Sequence, residues 1–364
     1  MMIEKEKVIN ALKTVIDPDL GNDIVSLGMV DNLEIKDNTV SFDFVLTTIA
    51  CPLKDQMKDQ AIQAIKQSVG ENVEVNVKLT SKKEKQNDRK MLPGVKNIIA
   101  VVSGKGGVGK STVAANLAVS IANLGASVGL LDADIYGPSV PIMFGLQDVQ
   151  PEAYMEGEKT VIVPVEKYGI KTLSIGFFVD PDQALAWRGP LAGNYLTQLI
   201  SGGDWGDLDY LVIDMPPGTG DIHLTIVQNI PVTGVVIVTT PQEVALVDVR
   251  KAHTFFSTES INVPIIGIVE NMSWFTPAEL PNNKYFIFGN QGGKKYAEEH
   301  GIFLLGQIPL VQSITQSGDI GKPAALDITS IEGAAFNEMA KNVVRQVAKR
   351  NISLKPTQVV KTNE

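Results

Sequence analysis

Residues 104–111 read Gly104-Lys105-Gly106-Gly107-Val108-Gly109-Lys110-Ser111. In front stands Ile98-Ile99-Ala100-Val101-Val102, β-branched and apolar as a buried parallel strand should be. Behind it, Ser111-Thr112-Val113-Ala114-Ala115-Asn116-Leu117-Ala118 opens as a helix. Strand, glycine loop and helix together are the context in which this spacing makes a phosphate-binding loop. Glycines let backbone N–H groups turn inward around phosphate oxygens, and the helix N-terminus adds partial positive charge. Lys110 is expected to neutralise the β- and γ-phosphates, and the Ser111 hydroxyl to ligate Mg²⁺. The stretch from Gly104 through Gly106, Gly107, Val108 and Gly109 to Thr112 is the expected nucleotide cradle. Lys105 is an extra cation in it.

Outward from the loop, strands and helices alternate. Val128–Leu131, Tyr210–Ile213, Gly234–Thr239, Pro264–Val269 and Ile302–Leu305 are predicted strands. Gly189–Ile200, Glu243–Phe256, Gly292–His300 and Glu332–Lys349 are predicted helices between and after them. The expected fold class is α/β: a mostly parallel sheet with helices on both faces, of P-loop NTPase type, over residues 95–350. Val161–Val163 and Ile170–Ser174 are predicted to form a hairpin insertion. A polar tail follows over 351–364.

Ahead of this lies a smaller α+β pattern over residues 1–80. Val8, Ile9, Leu12, Val15 and Ile16 share a helical face until Asp17-Pro18-Asp19 stops it. Met29–Ile35 and Thr39–Leu46 predict a hairpin across Lys36-Asp37-Asn38. Pro52–Val69 predicts a helix, and the alternating Val73, Val75, Val77 and Leu79 a third strand. Residues 81–94 lose nearly all apolar character and predict a charged, solvated linker.

Bulk properties narrow the possibilities. A net charge of −9 argues against a nucleic-acid binder working by phosphate attraction. The start, Met1-Met2-Ile3-Glu4-Lys5-Glu6-Lys7, lacks the apolar core of a signal peptide, and no run is long enough to span a bilayer. A single cysteine, Cys51, excludes an internal disulfide and fits a reducing cytosol. The expectation is a cytoplasmic protein.

A phosphate loop hydrolyses nothing without carboxylates at neighbouring strand ends. Leu130-Leu131-Asp132-Ala133-Asp134 offers two, on one side of an extended chain; one can hold a Mg²⁺ water while the other orients the attacking water. Leu211-Val212-Ile213-Asp214 offers a third, followed by Met215-Pro216-Pro217-Gly218-Thr219-Gly220-Asp221. Asp214 is the expected Mg²⁺-side carboxylate, and the Pro-Pro-Gly-Thr-Gly loop a candidate sensor of the γ-phosphate. His223, His253 and His300 lack a neighbouring nucleophile or ligand spacing and read as surface or packing residues.

The loop at 104–111 resembles the deviant Walker A motif of the nitrogenase iron protein and septum-site ATPase superfamily. Asp132-Ala133-Asp134-Ile135-Tyr136-Gly137-Pro138-Ser139, the segment from Asp214 to Asp221, Thr240-Pro241-Gln242 and Glu270-Asn271-Met272-Ser273 narrow the likeness to the Mrp/ApbC family of iron–sulfur cluster carrier ATPases. Thr47-Thr48-Ile49-Ala50-Cys51-Pro52 resembles the small domain of iron–sulfur assembly factors. The resemblance implies a homodimer that sandwiches ATP and serves apo iron–sulfur client proteins. It implies that Lys105 reaches the partner's phosphates, as an arginine finger does, and that Asn271 contacts adenine. Asn283-Lys284-Tyr285-Phe286 lacks the aspartate of a guanine signature, which favours ATP. Lys105, Lys110 and Asp134 are thus the expected catalytic set, with Mg²⁺ near Ser111, Asp132 and Asp214.

One departure stands out. Most members of that family carry Cys-x-x-Cys shortly after Glu-Asn-Met, where two subunits are thought to share a [4Fe–4S] cluster. Here Trp274-Phe275-Thr276-Pro277-Ala278-Glu279-Leu280-Pro281-Asn282-Asn283 has no cysteine. Thr276 and Glu279 have the spacing but are poor ligands for a soft centre. A dimer offers two copies of Cys51, so a cluster would be labile and need thiols from elsewhere. Cys51 reads either as a packing residue or as a thiolate activated by the helix after Pro52. Two rivals follow. One is an ATP-gated scaffold without a cluster. The other is a surface-positioning switch using the basic Met339–Arg350 helix, although that helix lacks aromatic anchors and more naturally packs on the ATPase core.

Overall fold

The computed structural model describes residues 3–81, 91–179, 189–277, 279–280 and 282–360. Most of the expected linker, residues 82–90, lies outside them, as do 361–364 of the tail. The chain divides into two compact units, Met1–Lys85 and Gln86–Glu364.

The smaller unit runs α1 (Lys5–Leu12), a two-residue pair β1 (Ile16–Asp17) and β2 (Asn22–Asp23), then β3 (Val30–Lys36), β4 (Thr39–Leu46), α2 (Lys54–Val69) and β5 (Glu74–Ser81). The main sheet has β4 in the middle, antiparallel to β3 and parallel to β5. Strict alternation along β4 buries Val40, Phe42, Phe44 and Leu46 against Met57, Ala61 and Ile65 of α2. Ile16 departs from the expected helical face. The helix ends at Leu12, and Ile16 sits in β1, 49% exposed, because Asp17 turns inward to accept the N–H groups of Asp19 and Leu20.

The larger unit begins with β6 (Val95–Val102), α3 (Lys110–Asn123), β7 (Val128–Asp132) and the single turn α4 (Val140–Met143). Two hairpins follow: β8 (Ala153–Glu156) with β9 (Lys159–Ile162), and β10 (Val165–Lys167) with β11 (Ile170–Ser174). The chain then alternates through α5 (Gly189–Gly202), β12 (Leu208–Asp214), α6 (Asp221–Asn229), β13 (Gly234–Thr239), α7 (Glu243–Ser257), β14 (Ile265–Glu270), α8 (Gly292–Glu299) and β15 (Leu304–Gln307). It closes with α9 (Gln312–Asp319) and α10 (Ile331–Ser353).

Eight strands form one sheet in the order β10-β11-β7-β12-β6-β13-β14-β15, parallel except for the edge strand β10. The β-branched run of β6 lies near its centre and is buried on both faces. Leu196, Ile226, Leu246, Phe256 and Tyr296 of α5 to α8 cover one face. Helices α3 and α10 pack on each other against the sheet. The last helix buries Phe336, Met339, Ala340, Val343, Val344 and Val347, so the face expected to meet either a membrane or the core meets the core.

The hairpin insertion is arranged differently from the expectation. Ile170–Ser174 does not pair with the 161–163 segment; it turns back on β10 and extends the main sheet beside β7, while Lys159–Ile162 pairs with β8. The tail also differs. The helix continues through Ser353, and Val360 donates its N–H to the Val227 carbonyl at 2.9 Å.

Candidate nucleotide site

The site stands at the carboxyl edge of the sheet, where β6 is flanked by β12 and β13, which arrive from opposite sides. Gly107 and Gly109 adopt φ of +81° and +79°, backbone that side chains resist. Neighbours press closely as well: a β-carbon on Gly104 would meet the backbone of Asp248, and one on Gly109 the Asn271 amide. Ser103 Oγ donates to the Lys105 carbonyl at 2.9 Å, and Asn271 Nδ2 donates to the Val108 carbonyl at 2.9 Å. Helix α3 starts on Gly109 without a side-chain cap, which leaves its leading N–H groups facing the loop. Lys105 is exposed on the outer turn.

Lys110 is buried, and its ammonium organises the carboxylates. It donates to Asp214 Oδ1 at 2.5 Å, lies 3.6 Å from Asp134 Oδ2, and reaches Ser111 Oγ at 3.2 Å. Strand register explains the gathering. Asp214 is level with Val101 on one side and Asp132 on the other, so two acidic side chains end neighbouring strands at the same height.

Asp132 is wholly buried and tied on every side. Its Oδ1 accepts the Asp134 N–H at 3.2 Å; its Oδ2 accepts the N–H groups of Ser139 and Val140 at 3.1 Å each and the Ser174 hydroxyl at 3.0 Å. It fixes the loop that carries Asp134. Burial, and then the Asp214 charge, push its carboxyl up to about 7, against the pull of these donors. Burial also raises Asp134 and Asp214, with Lys110 opposing in both.

Asp214 Oδ2 is buried without a hydrogen-bond partner among the described residues, and the Ser111 hydroxyl lies beside this carboxylate. An orphaned hard oxygen next to a hydroxyl fits a hydrated Mg²⁺ held jointly with phosphate oxygens. No set of three or more His, Cys, Asp or Glu side chains grouped for metal binding occurs among the described residues.

Two cavities lie in this region, the second of them against the phosphate loop. One, of about 430 Å³, is lined by Asp134, Tyr136, Pro216, Pro217, Gly220 and His223. The other, of about 320 Å³, is lined by Gly109, Thr112, Asn271, Met272, Leu310 and Ile314. Lys110, Ser111, Asp134 and Asp214 thus meet at one point, with Asp132 behind them and Asn271 on the loop's far side. Cys51 belongs to the other unit, half-buried among Ile49, Leu53 and the core there. The segment that replaces Cys-x-x-Cys is closed by backbone bonds in both directions between Phe275 and Tyr285 at 2.8 Å, and Lys284 Nζ sits 3.8 Å above the Trp274 ring.

His223, expected to be a surface or packing residue, packs against Phe255 and Phe256. It is 1% exposed, lines the first cavity, and burial lowers its pKa to about 4. Its place one turn beyond Pro216-Pro217-Gly218-Thr219-Gly220 was the available signal for the cavity contact.

A glycine loop whose lysine joins two carboxylates at the carboxyl edge of a parallel sheet defines a nucleotide-binding P-loop protein. Residues 94–347 match the model of the NUBPL iron-transfer P-loop NTPases, and residues 5–78 that of the iron–sulfur cluster assembly proteins. The chain belongs to the iron-transfer P-loop NTPase family, with an iron–sulfur assembly domain ahead of it. It is 45% identical over 351 residues to an iron–sulfur cluster carrier protein of Synechocystis sp., covering 95% of this chain and 99% of that one. It is 41% identical over 355 residues to one of Deinococcus radiodurans, covering 97% and 99%. A nucleotide-binding protein from Archaeoglobus fulgidus, solved in complex with ADP, superposes with a TM-score of 0.57 at 37% identity, covering 67% of this chain and 94% of that one. No helix among the described residues is long and apolar enough to cross a membrane.

Proposed function

We propose that this chain binds and hydrolyses ATP with Mg²⁺ and uses that cycle to carry iron–sulfur clusters, or assist their transfer, to apo-proteins. The carrying observation is Lys110 poised between Asp134 and Asp214 at the head of the glycine loop. The triphosphate offers Lys110 a new partner. Asp134, buried and 3.6 Å from that ammonium, is placed to orient water at the terminal phosphate. Ser111 and Asp214 would hold Mg²⁺, which supplies charge neutralisation at the phosphates. Lys105, exposed and free of ion pairs among the described residues, suits a charge delivered to a second copy's phosphates. This supports a homodimer. MgATP turnover by the purified chain, abolished in Lys110→Ala, tests the reading; turnover unchanged in that variant overturns it.

A second reading is favoured by the 274–285 segment. Where cysteines would ligate a shared cluster, this chain has a closed bridge without a thiol. An ATP-gated scaffold that binds clients and carries no cluster fits that observation. Anaerobic reconstitution with and without glutathione, followed by iron and sulfide counting, separates the two.

A further inference from the structure

His223 occupies the third position of α6, directly behind the Pro216–Gly220 loop. Its ring is buried, and no well-aligned hydrogen bond from the described residues reaches Nδ1 or Nε2, although the Pro216 and Gly220 carbonyls stand close enough to favour a proton there. Its flank is apolar: the edges of Phe255 and Phe256 on α7 approach at centroid distances of 6.2 and 6.4 Å. The other side belongs to the cavity shared with Asp134, Pro216, Pro217 and Gly220.

A neutral imidazole carries one N–H donor and one acceptor, and burying both unpaired is costly. Such groups are few in native folds, and a role in the chemistry of a site is one reason to keep one. The phenylalanines offer it nothing. The loop does, because the carbonyls of Pro216 and Gly220 lie beside the ring. Gly218 takes φ of +92°, and its N–H donates to the Ser103 carbonyl, just ahead of the phosphate loop, at 2.8 Å. Burial keeps the ring neutral at physiological pH, so the N–H and the lone pair are both present.

We propose that His223 is a positioning residue for hydrolysis: when a terminal phosphate enters the cavity, a carbonyl of the Pro216–Gly220 loop settles on its ring N–H. That bond holds the loop closed while Asp134 orients the water. The inference rests on the ATP-hydrolysis reading above. It adds a residue that acts through the loop and touches no reacting atom.

His223→Phe keeps the ring volume and the edge contacts with α7 and deletes both nitrogens. We expect MgATP kcat to fall about tenfold or more, with affinity for a fluorescent ADP within about twofold of wild type. His223→Asn or His223→Gln, which return a donor, should recover most of the rate. Wild-type turnover in His223→Phe overturns the proposal, as does a loss that neither amide variant recovers. Should His223→Phe not fold, ¹⁵N shifts of the His223 ring in the wild-type protein decide. A non-hydrolysable ATP analogue should move them to hydrogen-bonded values, and unmoved shifts overturn the proposal. A wild-type protein with no MgATP turnover would instead remove the hydrolysis reading on which this one stands.

Discussion

Lys110 and Asp214 form a buried ion pair, 2.5 Å from Nζ to Oδ1, between the head of the phosphate loop and the end of the neighbouring strand. The lysine expected to meet phosphate is already engaged by a carboxylate. Lys110→Ala therefore does two separable things. It strands a buried carboxylate, costing roughly 3 kcal/mol of apo stability or less where Asp214 takes up a proton. It also reduces ATP-dependent stabilisation by at least about 1.4 kcal/mol, one decade of affinity. Adding Asp214→Asn should restore the apo melt and leave the ATP effect as weak as in Lys110→Ala. If nucleotide stabilises Lys110→Ala as well as wild type, the loop is not the site.

Lys105 should act in trans. Lys105→Ala is expected to lower turnover roughly 10³-fold with little loss of ATP affinity. Mixed with Asp134→Asn, it should regain activity in the heterodimer site that holds both native residues. Demonstrated subunit exchange without recovery assigns Lys105 to its own chain's site.

Asn271 distinguishes base reading from loop support. Its side-chain amide holds the Val108 carbonyl, so Asn271→Ala should loosen the loop for any polyphosphate. We expect ATP, GTP and tripolyphosphate to lose affinity by a similar factor, about tenfold, for one buried hydrogen bond. A loss confined to ATP would instead support the adenine contact that the family resemblance implies.

His223 should leave a mark on stability against pH. The unfolded imidazole takes a proton near pH 6.5, whereas burial delays protonation of the folded one until about 4. The unfolded state therefore binds more protons across that window, and stability falls as pH falls through it. Between pH 7 and 5 wild type should lose about 2 kcal/mol more than His223→Phe in urea unfolding. Parallel curves for the two proteins would show that the folded ring titrates normally.

Cys51 is predicted to matter for cargo and not for nucleotide. Cys51→Ser should remove residual iron from a reconstituted sample in thiol-free buffer and leave ATP turnover close to wild type, since the two lie in different units. A stoichiometric [4Fe–4S] cluster retained in the variant would require ligands other than cysteine.

The parallel sheet was legible because its strands are continuous apolar runs and Asp214 ends one of them. The gathering of Lys110 with Asp134 and Asp214 was legible from motif order. What holds Asp132 was not, since one of its donors, Ser174, lies 42 residues further on and comes alongside only when β11 pairs with β7. The same pairing misled the hairpin prediction: local alternation cannot say which edge Ile170–Ser174 will choose. Helix α9 escaped notice because it buries no residue and so shows no apolar stripe. The final strand is set two residues later than expected, because Gly301 turns left-handed and pairing with β14 fixes the start at Leu304.

The sheet order also governs when, during synthesis, a site can exist. Strand β6 and its glycine loop leave the ribosome early, but the strands that flank β6 are Leu208–Asp214 and Gly234–Thr239, more than a hundred residues later. Until they emerge, the apolar run of β6 has both edges open, and Lys110 has no Asp214. Such long-range pairing is slow and leaves sticky edges on the nascent chain. A chain stalled before Leu208 carries every residue of the loop but neither of the strands that flank β6, so nucleotide can stabilise this fold only once translation is well past its middle.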